Sequence, residues 1–415
     1  MSHIAFNTPS LLRPALICAA LSLAACNDKD TLPADGDHGH GHTESTGRLV
    51  FGEDASNKVH VYDLDERKLI QDFVLGQAVS AVHASPGRRY AVVVQAGGGR
   101  VDFIDGGIWL HGDHAHADDP LKLALSLTGI KPAHYREHEE QAALFYDGEG
   151  TDAAKFELFT DASLGSGGGS IVARQSLPGP VHGIAEPRPG YVLAVDTTRS
   201  QVLPYELHGD HFHAGTAFAT SCQNLHGGSS NEDYSAFGCQ DGVLVIRQQG
   251  DAFTDAKIAT PKRVTQVAGH PDLAQFAAFA GDGTLYVIDP AAGSATELDW
   301  DGNAAAAAAR SQHLIDAAGH HLAILDSTGM LHVVDTADWT RKGSVQAVPS
   351  VGSGASGARL ASSGDGEHLY ISSPADKSVI AIDLENVEEA DHYELGFIPT
   401  GLAWLGVAGG GHTHE

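Results

Sequence analysis

Short β-branched and apolar runs, each closed by an acid or a turn residue, recur along most of this chain. They read Val59-His60-Val61-Tyr62-Asp63, Val101-Asp102-Phe103-Ile104-Asp105 and Phe156-Glu157-Leu158-Phe159-Thr160. They continue as Val202-Leu203-Pro204-Tyr205-Glu206, Val243-Leu244-Val245-Ile246-Arg247 and Leu285-Tyr286-Val287-Ile288-Asp289. The last two are Leu331-His332-Val333-Val334-Asp335 and Val379-Ile380-Ala381-Ile382-Asp383. These eight copies are spaced by roughly 40 to 55 residues. Each follows another apolar run, such as Tyr90-Ala91-Val92-Val93-Val94 or Tyr191-Val192-Leu193-Ala194-Val195, and Gly- and Asp-containing turns lie between. Runs of this length and composition, bounded by turn residues, predict strands. No long helical pattern interrupts them; Ala304–Ala309 is the one local run of helix formers.

Four short strands per repeat of about 40–50 residues is the pattern of a β-propeller. A ring of sheets must close or leave an edge exposed. Thr400-Gly401-Leu402-Ala403-Trp404 looks like an innermost strand with no blade of its own, and the first repeat, from Arg48, holds only three strands. The expected fold is therefore an all-β propeller over residues 48–405. It has eight four-stranded blades, closed by pairing the C-terminal strand with the N-terminal blade. One misread repeat would reduce the count to seven.

Composition supports a folded core, with 42% hydrophobic residues in a 415-residue chain. Asp and Glu number 53 against 25 Lys and Arg, a formal charge of −28. Such a surface repels nucleic acid and anionic lipid. Residues 1–26 read as an export signal: Arg13, then an apolar run from Ala15 to Ala25 too short to span a bilayer. Leu23-Ala24-Ala25-Cys26 fits a bacterial lipobox with Cys26 acylated, and also fits ordinary cleavage after small residues. Residues 27–47 form a polar leader with Asp37-His38-Gly39-His40-Gly41-His42, and residues 406–415 a tail with His412 and His414. Of the remaining cysteines, Cys222 and Cys239 read as one disulfide across a hairpin in an oxidising compartment, with thiolate zinc ligation as the rival.

Histidine changes the picture most. There are 25, as many as Lys and Arg together. Aligned on the expected innermost strand, a small or apolar residue precedes His in Val82-His83, Ala133-His134, Val181-His182 and Leu225-His226. The column continues through Val267-Ala268, Ile315-Asp316, Ala358-Arg359 and Leu402-Ala403. Alternation on a strand turns the partner of a packed apolar residue the other way. His83, His134, His182 and His226, with Asp316, are thus expected to converge near the channel axis and to hold Zn2+, which takes three or four such ligands. Taken singly, each His is as well explained by a blade-edge hydrogen bond, and a one-residue slip reverses its facing.

A second motif, His-Gly-Asp-His-x-His-Ala, occurs twice. It reads His111, His114 and His116 in 111–117, and His208, His211 and His213 in 208–214, at equivalent places in two repeats. Both loops are expected on the rim that carries the a–b turns, where His-x-His puts two imidazoles on one side of an extended segment. The mobile His38, His40 and His42 would collect metal only loosely, because ordering them costs entropy. His138 with Glu137, Glu139 and Glu140 adds candidates near the channel mouth; His270, His320 and His321 read as solvated turn residues. There is no Gly-rich phosphate loop, Gly-x-Ser-x-Gly elbow, His-Glu-x-x-His pair or Cys-x-x-Cys-His haem site.

These residues, above all 111–117, 208–214 and the 38–42 leader, resemble the AztD-type periplasmic zinc metallochaperones of bacterial zinc ABC importers. The likeness extends over essentially the whole mature chain. It implies a periplasmic zinc carrier without chemical turnover, which gives Zn2+ directly to the importer's solute-binding protein. Zinc would be reached through the His-rich rim and leader, and a monomer would suffice. The contrasting expectation is a metal-dependent propeller enzyme, lactonase-like or a copper redox enzyme, since a metal with an open position can activate water.

Overall fold

The computed structural model describes residues 47–111, 114–302 and 309–407. The expected strands form, and they assemble as eight four-stranded antiparallel sheets arranged as a β-propeller. In each blade the strands run a to d from the axis outward. The innermost strands of blades 2 to 8 are Ala81–Ala84, Pro132–His138, Ala185–Arg188, Gly228–Ser230, Val264–Ala268, Arg310–Ile315 and Leu360–Ser362. Blade 1 takes its b, c and d strands from Arg48–Glu53, Lys58–Asp63 and Lys68–Val74. Its innermost strand is Pro399–Leu405 from the other end of the chain. Closure leaves no innermost strand unpaired, which is the physical answer to the edge problem. The closing strand is bulged against its neighbour, and Gly401 sits there at φ +67°, where an added Cβ would lie 2.7 Å from the Val82 backbone nitrogen.

Strands b and c are buried on both faces, so they read as near-continuous apolar runs. Strand d of blade 1 is mostly exposed at the perimeter, with Ile70 and Phe73 half-buried. The core is consequently a series of inter-blade layers. Phe145, Phe156, Val192 and Tyr205 fill the layer between blades 3 and 4, and Phe279, Leu285, Leu322 and Val334 the layer between blades 6 and 7. At about 25 cal/mol per Å2 of apolar area, such layers supply most of the driving force.

Antiparallel order also fixes the two faces of the ring. The a–b and c–d turns lie on one face, and the b–c and d–a connections on the other. Residue 47 enters at the a–b face, since it leads into strand b of blade 1, and residue 405 ends strand a at that same face.

Cys222 and Cys239 are bridged. The expected hairpin pairing is not the reason. Cys222 lies in the d–a connection before blade 5, outside any strand, and Cys239 ends strand b of that blade. The bridge therefore pins a connection to a strand.

Candidate metal centre

His134, His182 and His226 come together on the d–a face, on three consecutive blades. His134 is the third residue of its innermost strand, while His182 and His226 stand in the connections just ahead of theirs. In blade 3 the register shifts between Pro132 and His134, and the bulge pairs His134 with Phe145, next to the end of strand b. The same shift in blades 6 and 7 falls before Gln266 and Gln312, so those two blades put an amide where blade 3 puts an imidazole.

The Nε2 atoms of His134 and His182 are 3.2 Å apart, and those of His182 and His226 3.4 Å. Two ligands on a tetrahedral zinc, each about 2.0–2.1 Å from the ion, stand roughly 3.3–3.4 Å apart. All three donor atoms lie within 4.8 Å of one another, the one such triple of His, Cys, Asp or Glu among the described residues. The outer nitrogens of His182 and His226 are held. His182 Nδ1 is 2.7 Å from Asp147 Oδ2, and His226 Nδ1 is 2.8 Å from the Thr265 carbonyl oxygen. With a proton on each Nδ1, both Nε2 lone pairs face inward, and the carboxylate fixes the orientation of the His182 ring. Burial pushes the His134 pKa down to about 2, helped by the neighbouring Arg136 and the two other rings. Burial also lowers that of His226. Both are thus kept in the neutral form that ligation requires. The His182 side chain is 43% exposed, leaving one open side toward solvent.

The rest of the expected column does not join this group. His83 pairs with Val92, the third residue of its strand b, which is the row that Arg136 occupies in blade 3. It sits deeper in the channel, stacked at 4.8 Å on the Tyr135 ring, with its pKa pushed down to about 4 by burial and by Arg136 and Arg359. Asp316 follows its innermost strand and so lies on the opposite face. There it accepts from the backbone N–H groups of Ala318, His320 and His321 and contacts His321 Nδ1 at 2.9 Å, tying the a–b turn of blade 7. The channel cavity below the trio, about 490 Å3, is lined by Arg88, Arg136 and Arg359 among others.

The two repeated motifs form hairpins on the a–b face. In blade 2 it is an added two-stranded ribbon, Ile108–His111 with His114–Ala117, where His111 pairs with His114. His116 stacks on Trp109 at 4.7 Å. In blade 4 the motif is the c–d turn itself, with His208 paired to His211 and His213 two residues on. These hairpins are on the face away from the trio, so the expected path through the rim to one shared cage does not fit the topology. His38, His40 and His42, like the export signal and Cys26, lie outside the described residues. Among those described, no helix is long and apolar enough to cross a membrane.

The residues that sequence reasoning missed are Asp147 and the carbonyl of Thr265. Asp147 directly follows a strand b, as acids do at many turns in this chain, and only its approach to His182 distinguishes it.

No family model matches the chain. Over 260 residues it is 28% identical to the zinc chaperone AztD of Citrobacter koseri, a match that spans 59% of this chain and 59% of that relative. The chain resembles zinc chaperone AztD. Among solved structures, apo AztD from Citrobacter koseri superposes with a TM-score of 0.72 at 20% identity, covering 86% of this chain and 97% of that one. The dihydro-heme d1 dehydrogenase NirN, in complex with DHE, follows with a TM-score of 0.60 at 14% identity, covering 86% and 75%. At those identities the structural likenesses carry the fold alone. The AztD relatives are named as a chaperone and the NirN neighbour as an enzyme, so the distinction between carrier and catalyst rests on the site.

Proposed function

We propose that this protein is a zinc-binding chaperone that holds Zn2+ between His134, His182 and His226 and delivers it to another protein. The observation that carries the reading is the spacing of the three donor nitrogens, which matches a tetrahedral zinc edge on a preformed frame. Zinc here is cargo. Three protein ligands leave a fourth position, and the open side at His182 lets a partner's ligand enter before the chain's own ligands leave. The partner is the periplasmic solute-binding protein of a zinc ABC importer, reached after export under the N-terminal signal. No bond of a substrate is made or broken. The similarity to a named zinc chaperone supports the choice of metal and role.

The test is a zinc titration of the mature protein against a chelator of known strength, followed by mixing with the solute-binding protein. The expected result is colourless zinc bound tighter than micromolar, and loss of that tight class in the His182→Ala/His226→Ala variant. Zinc should then move to the partner faster than it dissociates into the chelator. Binding unchanged in the variant, or bound copper with turnover, would overturn the reading.

A further inference from the structure

Inside its acidic surface this chain keeps guanidinium groups in the channel cavity below the trio. Arg136 and Arg359 both line that cavity, as do Gln266 and Gln312. Their places follow from the innermost strands. Arg136 stands two residues beyond His134 on the same strand, so alternation turns both toward the channel. Gln266 and Gln312 take the bulge position in blades 6 and 7. Arg359 directly precedes the innermost strand of blade 8, where the Ser372 N–H donates to its carbonyl. Among the described residues Arg359 makes no ion pair, and its guanidinium donates only to the backbone carbonyls of Ala358 and Gly354. Burial lowers its pKa, with no neighbouring anion to offset the effect. Arg136 Nε is 3.1 Å from Glu186 Oε1 and Nη1 donates to the Tyr135 carbonyl, but its Nη2 makes no hydrogen bond among the described residues. The side-chain amides of Gln266 and Gln312 make none either. The one carboxylate among the lining residues, Glu137, lies near the a–b end of its strand.

We infer that this cavity binds a small dicarboxylate anion, held by Arg136 and Arg359, and that the anion's charge strengthens zinc binding on the trio. A guanidinium presents a planar fork of N–H donors that fits the two oxygens of a carboxylate. Two such forks on separate blades, 3 and 8, call for a ligand with a carboxylate at each end. The cavity volume of about 490 Å3 is that of a small-molecule site and exceeds what one phosphate fills. The free amides on blades 6 and 7 add neutral donors. The guanidinium side chain of Arg136 is 25% exposed, so an anion entering the channel reaches it. The coupling is electrostatic. The charge of Arg136, two residues from His134, opposes a dication on the trio, and an anion bound to it offsets that opposition. The coupling rests on the zinc reading above; the anion site itself does not.

Succinate is titrated by calorimetry into the metal-free mature chain in low-chloride buffer, comparing wild type with Arg359→Gln and Gln312→Ala, each checked for folding by circular dichroism. Wild type is expected to bind one equivalent, Arg359→Gln to bind at least about tenfold more weakly, and Gln312→Ala severalfold more weakly. Zinc affinity, read by chelator competition, is expected to rise about fivefold with saturating succinate in wild type and not in Arg359→Gln. No succinate binding to wild type, or unchanged affinity in both folded variants, overturns the anion site. Inorganic phosphate binding there more tightly than succinate overturns its assignment to a dicarboxylate. Zinc affinity that ignores succinate overturns the coupling. If the metal-free chain binds succinate while the trio takes no zinc, the proposed function fails and the anion site stands.

Discussion

Asp147 does its work through one atom pair. Its carboxylate is 14% exposed and lies 2.7 Å from the Nδ1 of a histidine that is largely open to water on its other side. Without that partner, His182 is free to rotate and to present either nitrogen. Replacing Asp147 by Asn should weaken zinc binding roughly tenfold to a hundredfold, the usual scale for outer partners of metal-bound imidazoles. Chelator competition measures it, and circular dichroism should show the fold intact. At this scale the sequence was legible in part. The recurrence of an apolar residue before His marked His134, His182 and His226 in three successive repeats, and the structure gathers them. It also marked His83 and Asp316, which stand in other rows. A recurring dipeptide gives the order of residues on a strand, but the row each one occupies depends on bulges and on where the strand begins.

Among the elements, the connection that carries His226 is the most constrained. Cys222 anchors it to the end of strand b, the backbone N–H of Leu225 donates to the Arg199 carbonyl, and that of His226 donates to the Gly238 carbonyl. The bridge closes a separation of 17 residues, worth on the order of 3 kcal/mol in the chain-entropy account. The Cys222→Ser/Cys239→Ser variant should melt at lower temperature and release zinc faster than wild type. Both are measurable, by calorimetry and by stopped-flow transfer to a fluorescent chelator. An unchanged zinc off-rate would show that the three rings hold their spacing without the bridge. The pairing of the two cysteines was readable from their being the pair left after the signal segment. That one of them sits in a connection was not, because Gly- and Ser-rich segments around it gave the same signal as a hairpin.

Across the whole ring, several histidines are held neutral inside. Burial pushes His83 and His138 down to about 4 and His313 to about 3, each with a neighbouring guanidinium adding to the shift. In the unfolded chain they titrate near 6.5. As pH falls below that value the unfolded state takes up protons that the folded state refuses, so stability is full above about 6.5 and is lost progressively toward about 4. The melting temperature should therefore drop between pH 7 and pH 5 in metal-free protein. His83→Gln and His313→Gln together should flatten the drop. A curve that instead rises on acidification would mean that these rings gain, rather than refuse, protons on folding.

Periodicity and turn chemistry determined the number of blades and the way the ring closes, because strands of alternating or fully apolar residues at a fixed repeat have few ways to bury themselves. Local alternation likewise determined that His211 and His213 share one side of their strand, while the pairing of His208 with His211 came from the folded hairpin. Which histidines meet, and on which face, was decided only by the closed ring. Circular closure brings residues nearly fifty positions apart to within 3.4 Å, and strand direction sends Asp316 and the two His-rich hairpins to the opposite end of the channel. Distances across an axis depend on the row of each strand, and no stretch of chain contains that information by itself.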